Sequence, residues 1–258
     1  MNKPLSIAAI KEQLQEIRSL EDPRWTTIRS DSRKGVQAAI KSWERNYQLD
    51  LALKERQIQM LAFEEELKAN GRLAIAGIDE VGRGPLAGPV VAAAVILPAE
   101  LPFLPVNDSK QLSAKKREQL YDQIMAIADV GIGLISPETI DAVNIYEATK
   151  LAMMQAIANL KQEPDSLLID AMKLPLPIEQ KSIIKGDAKS VSIAAASIVA
   201  KVYRDRLMSE YAVQYPYYGF EKNAGYGTQL HLSGLEAHGI TPIHRKTFDP
   251  IKSMLRDQ

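Results

Sequence analysis

Two short apolar runs, Leu73 to Ile78 and Val90 to Leu97, flank the segment Gly77-Ile-Asp-Glu-Val-Gly-Arg-Gly-Pro-Leu-Ala-Gly88. The runs are too short and too continuously apolar for surface helices, and they read as strands buried on both faces. The glycines between them fail as a dinucleotide-binding loop. Gly82, Gly84 and Gly88 have the wrong spacing, and a strand rather than a helix follows. Downstream, strand-like and helical stretches alternate. Ser113 to Ala128 reads as a helix capped by Ser113, Val130 to Ile135 as a strand, and Tyr146 to Leu160 as an amphipathic helix. Leu167 to Asp170 and Ser182 to Lys185 read as strands, and Val191 to Tyr215 as a long alanine-rich helix. Such alternation predicts an α/β sandwich, with strand directions left open.

Residues 1–70 read differently. Ile7, Ile10, Leu14 and Ile17 recur at helical spacing, and Asp50 to Lys68 is rich in Leu, Glu, Gln and Lys. A helical extension ending near Asn70-Gly71 is expected, with Gly71 as a C-cap, followed by a second domain over 71–258. Lys and Arg total 32, as do Asp and Glu, so net charge alone gives no case for nucleic acid. From Lys181 onward eleven Lys/Arg face seven Asp/Glu, a mild basic excess compatible with a phosphate-tracking groove. Cysteine is absent, which excludes disulfides and cysteine-ligated zinc and suits a reducing cytoplasm, the expected location. The opening residues lack an apolar secretory core, and no long uncharged apolar run predicts a membrane span.

The acids carry the chemistry. Asp79 and Glu80 close the first run, Asp170 closes Leu167-Leu168-Ile169, and Asp187 follows Ser182 to Lys185 by one glycine. Each sits where a buried strand leaves the sheet, the edge at which open α/β sheets bind ligands. Singly, each is an ordinary turn acid. Together, if the strands are neighbours, they repel one another unless a hard divalent cation neutralises them, and all-carboxylate ligation suits Mg²⁺ or Mn²⁺. A metal-free acid/base site would instead want paired histidines, whereas His231, His238 and His244 come late and match no acid.

Gly77-Ile-Asp-Glu-Val-Gly-Arg-Gly84 resembles the opening signature of ribonuclease HII. Further matches follow in family order. They are Asn107-Asp-Ser-Lys-Gln-Leu-Ser113, Leu168-Ile-Asp170, Lys185-Gly-Asp187, Ala194 to Asp205, Gly225-Tyr-Gly-Thr228 and Ile243-His-Arg245. The resemblance spans roughly Leu73 to Pro250 and implies a ribonuclease H-like mixed sheet flanked by helices. It implies an endonuclease that hydrolyses the RNA strand of RNA–DNA hybrids and cuts at ribonucleotides embedded in duplex DNA. The ends would be 3′-hydroxyl and 5′-phosphate. The catalytic acids would be Asp79, Glu80, Asp170 and Asp187, with Asp79, Glu80 and Asp170 binding Mn²⁺ or Mg²⁺. One ion is expected without substrate and two with it. Gly82, Arg83 and Gly84 would hold the ribose 2′-hydroxyl, Tyr226 would pack on the neighbouring sugar, and Lys110 would touch phosphate.

Two departures stand out. Ala171 follows Asp170 where the family pattern has glycine, and Lys222-Asn-Ala-Gly-Tyr226 lacks a second basic residue before its glycine. The resemblance leaves out residues 1–70, which are read either as an arm on the duplex, using Arg29, Arg33 and Lys34, or as a stabilising cap packed through Trp25 or Trp43. A monomer is expected. Two rivals remain: an actin-like phosphotransferase, which lacks a second glycine-rich phosphate loop here, and a non-catalytic hybrid binder, which would not need all four acids.

Overall fold

The computed structural model describes residues 5–106, 109 and 112–256. They form two compact units, Met1–Ile58 and Gln59–Gln258. In the first, α1 (Ile7–Glu16) starts at Ser6, whose hydroxyl accepts from the Ala9 amide. Asp22 caps α2 (Pro23–Arg29), whose first-turn proline needs no amide partner. The long α3 (Lys34–Met60) follows. Ile10, Leu14, Ile17, Trp25, Ile28, Val36 and Ile40 make a core of their own. The Trp25 and Trp43 rings meet at 4.3 Å between centroids. Three of the four residues predicted from helical spacing lie in this core, and Ile7 is exposed.

The second unit opens with α4 (Ala62–Ala69), which ends at Asn70 and Gly71 as the C-cap reading expects. Leu67 packs with Ile75, Leu168, Ile183 and Ile193, so α4 shares the core of the strands that follow. The strands are β1 (Ile75–Val81), β2 (Val90–Ile96), β3 (Asp129–Ile135), β4 (Ser166–Asp170) and β5 (Glu179–Ile183). They lie in the order β3-β2-β1-β4-β5. β2 is antiparallel to β1 and β3, while β4 is parallel to β1 and β5, so the sheet is mixed.

Helices cover both faces. α6 (Pro137–Val143) and α7 (Ile145–Ala158) bury Ile140, Ala148, Ala152 and Ala156 against Ala76, Ile78, Ala92 and Ala94. On the other face α5 (Ala114–Ile127) and α8 (Val191–Gln214) pack on Val91, Ala93 and Val95. The alanines of α8 allow this close approach. Beyond α8 lie α9 (Phe220–Asn223), α10 (Gln229–His238) and α11 (Ile251–Arg256), gathered around Met208, Phe220, Leu235 and Ile251. Among the described residues no helix is long and apolar enough to cross a membrane.

One strand differs from expectation. Ser182 to Lys185 reads as a strand, but β5 runs from Glu179 to Ile183, and Lys185 turns into the left-handed region at φ 56°. β5 is an edge strand with polar residues along most of its length, so its apolar signal is confined to its last turn into the site.

Candidate active site

Parallel pairing sets the acids side by side. Ile78 of β1 lies opposite Ile169 of β4, so Asp79 and Asp170 occupy the next position on neighbouring strands. Asp170 in turn pairs with Ile183, the last residue of β5. The chain then turns through Lys185 into a short 3-10 helix, Gly186–Ala188, which carries Asp187. The Gly186 amide donates to Asp170 Oδ1 at 2.7 Å, tying the turn that bears Asp187 to Asp170.

Asp79 is only 5% exposed. Its Oδ1 accepts the Glu80 amide at 2.7 Å, and it is hydrogen-bonded to the Ser197 hydroxyl of α8. Burial pushes its carboxyl well above the usual range, and the nearby charges of Glu80 and Asp170 push the same way. Glu80 contacts Arg83 at 3.4 Å. Among the described residues, no three acidic or histidine side chains converge as they stand on one ion position.

The glycine-rich loop forms the next wall. Gly82 has φ +90°, and a Cβ there would lie 2.2 Å from Arg204 Nε. Gly84 is different: a Cβ would meet only Tyr226 Cε1, at 3.4 Å. Tyr226 thus stands across a narrow gap from Gly84, with its side chain half in solvent. Lys110 lies outside the described residues, as do Asn107, Asp108 and Gln111 of the same motif.

Sequence reasoning missed what supports this loop. Arg204 and Arg245 are fully buried. Arg204 donates to the carbonyls of Pro89, Ala224 and Ala87 at 2.9, 2.8 and 3.1 Å. Arg245 donates to Gly82, Arg83 and Gly88 at 2.5, 2.9 and 2.9 Å. Desolvation lowers both guanidinium pKa values, to about 10 and about 9, so both stay charged at neutral pH. Glu64 of α4 was also missed. It is buried, and its Oε1 accepts the Ser190 and Ser192 hydroxyls and the Ser192 amide at the start of α8. Arg204 and Arg245 fall within the Ala194 to Asp205 and Ile243-His-Arg245 matches, but nothing in the sequence marks either of them, or Glu64, as buried.

A family model described as ribonuclease HII matches residues 76–250, and one described as the ribonuclease HII N-terminal domain matches residues 6–68. The chain belongs to the ribonuclease HII family. Ribonuclease HII of Bacillus cereus strain Q1 is 55% identical over 253 residues, covering 98% of each chain. Among solved structures, the ribonuclease H2 of Pyrococcus horikoshii OT3 is 27% identical with a TM-score of 0.62. That match covers 71% of this chain and 97% of the other. The ribonuclease HII of Archaeoglobus fulgidus, solved in complex with PCNA, is 30% identical with a TM-score of 0.60 and covers 72% and 100%. The chain is therefore an endoribonuclease of the ribonuclease H type, on the mixed sheet that the resemblance implied.

Proposed function

We propose that the chain hydrolyses the RNA strand of RNA–DNA hybrids and cuts at ribonucleotides embedded in duplex DNA, leaving 3′-hydroxyl and 5′-phosphate ends. The observation that carries this is that Asp79 and Asp170 follow the last paired residues of neighbouring parallel strands, with the Gly84 loop that faces Tyr226 directly after β1. The buried Asp79 resists ionisation among like charges, and the donor set is all oxygen, which suits Mg²⁺ or Mn²⁺. Asp79, Glu80 and Asp170 would hold one ion, and a second would join with substrate. Bound divalent ions supply a water of lowered pKa and stabilise the departing 3′-oxygen.

The chain's own residues do the rest. The Ser197 hydroxyl and the Glu80 amide orient the Asp79 carboxylate, and the Gly186 amide orients that of Asp170. Asp187, on the turn fastened to Asp170, acts beside the scissile phosphate. Gly82, Arg83 and Gly84 hold the 2′-hydroxyl, a group that both donates and accepts and so separates RNA from DNA. Tyr226 packs on the adjoining sugar, and Lys110 contacts phosphate.

Asp170→Asn tests the acids. The amide oxygen can still accept from Gly186, so the fold should persist, while one anionic ligand is lost. Cleavage should fall more than about a hundredfold, and Mn²⁺ affinity measured by calorimetry should fall with it. Near-normal turnover by the folded variant would remove Asp170 from the site.

A further inference from the structure

Two buried histidines form a single hydrogen-bonded chain that ends on Tyr226. The Thr241 amide donates to His244 Nδ1 at 2.8 Å. An amide can only donate, so that nitrogen carries no proton, and His244 is protonated on Nε2. His244 Nε2 lies 2.9 Å from His231 Nε2, which must then accept. His231 Nδ1 lies 3.0 Å from the Tyr226 carbonyl, which can only accept, so Nδ1 carries the proton of His231. Every atom of the chain is satisfied in one tautomeric arrangement, with both rings neutral. Phe220 closes on His231 and Tyr218 on His244, each at 5.1 Å between ring centroids. The rings are 0% and 1% exposed, so neither reaches substrate.

The next residue, Arg245, binds the carbonyls of Gly82 and Arg83. One dipeptide, His244-Arg245, therefore holds both sides of the gap: the glycine loop directly, and Tyr226 through His231. A Cβ on Gly84 would already be in van der Waals contact with Tyr226, so a small shift of either side changes the gap.

We propose that His231 and His244 are positioning residues that fix Tyr226 opposite Gly84 and thereby set the fit of the slot for a ribose rather than a deoxyribose. This rests on the reading of that slot as the sugar sensor. It assigns a task to two histidines that have no part in the metal chemistry.

The test uses the full-length chain with Mg²⁺ and a DNA duplex carrying one ribonucleotide. His231→Gln keeps an acceptor toward His244 but withdraws the donor from the Tyr226 carbonyl. His231→Asn places an amide N–H where Nδ1–H stood. Turnover at saturating duplex should fall about tenfold in His231→Gln with little change in KM, because most of the duplex is held elsewhere, and His231→Asn should recover part of the loss. In a Tyr226→Ala background His231→Gln should add nothing, since it acts through that residue. Equal turnover for wild type and a folded His231→Gln overturns the proposal, as does full additivity with Tyr226→Ala. Failure of the wild type to cut at the ribonucleotide overturns the slot reading itself. Should His231→Gln not fold, imidazole ¹⁵N shifts of the unmodified protein decide. An Nδ1–H tautomer for His231 with an Nε2–H tautomer for His244 is expected, and any other pair refutes the chain.

Discussion

Adding one methyl group at Gly84 and at Gly82 should have opposite consequences, although the two glycines are separated only by Arg83. At Gly84 a Cβ meets a single atom, Tyr226 Cε1, at an ordinary contact distance of 3.4 Å, and φ lies outside the left-handed region. Gly84→Ala should therefore fold, with stability within about 0.5 kcal/mol of the parent. The methyl instead fills space that the 2′-hydroxyl needs. A buried polar group left without its partner costs about 1–3 kcal/mol, which corresponds to roughly a 5- to 150-fold loss of cleavage at a ribonucleotide. Affinity for the duplex should change little. At Gly82 the methyl would lie 2.2 Å from Nε of Arg204, whose guanidinium is fixed by three carbonyls, and the backbone is at φ +90°. Left-handed backbone costs an alanine about 1–2 kcal/mol and overpacking about 1–3 kcal/mol, so Gly82→Ala should lose about 2–5 kcal/mol of stability. Urea denaturation and single-turnover cleavage of a one-ribonucleotide duplex separate the two effects. A destabilised Gly84→Ala, or one that cuts at the parental rate, would refute the assignment of this loop.

Ala171 occupies the left-handed region at φ 46°, so Ala171→Gly should stabilise the protein by about 0.5–1 kcal/mol in urea denaturation, and an unchanged or lowered stability would contradict this. Deleting residues 1–58, and so sparing α4 and Glu64, tests the arm reading of the first unit. Hybrid affinity should weaken and its log–log salt slope should flatten by about 0.9 for each phosphate that is no longer neutralised, whereas an unchanged slope contradicts the arm. Burial lowers the pKa of both buried histidines, that of His244 to about 4, so the unfolded chain takes up protons first as pH falls below about 6.5. Their contribution to stability is therefore present above that pH and lost toward pH 4, while the raised carboxyl of Asp79 acts in the opposite sense. An NMR titration of the rings should find His244 uncharged at pH 6 and His231 titrating below the ordinary histidine value, and either ring titrating at or above 6.5 would contradict this.

Much of the candidate site's edge was legible in the sequence because burying strands on both faces demands continuous apolar runs, and a charge ending such a run marks the sheet's rim. Asp79 and Asp170 could be placed this way, and the glycine signature added the loop. β5 was misplaced by its polar edge-strand composition, although Asp187 still follows its end. The missing glycine after Asp170 was visible in the sequence, but its meaning was not until Ala171 showed a positive φ. The burial of Arg204, Arg245 and Glu64 was illegible for another reason. Burying a charge requires partners that converge from distant segments: Arg245 draws on carbonyls more than 150 positions away, at a separation of 157 for Gly88. No local periodicity encodes such convergence. The same holds for His231 and His244, whose pairing depends on how α10 packs against the segment that follows it.

The chemistry of the cut ends tests the central claim most directly. The protein would be incubated with Mn²⁺ or Mg²⁺ and a DNA duplex holding a single ribonucleotide, and both products mapped by mass spectrometry. Carboxylate-held metal acting on water leaves a 3′-hydroxyl and a 5′-phosphate, and no product should form with excess chelator. A 2′,3′-cyclic phosphate, or cleavage that persists in chelator, would mean that the 2′-hydroxyl is the nucleophile and that Asp79 and Asp170 do not serve a metal.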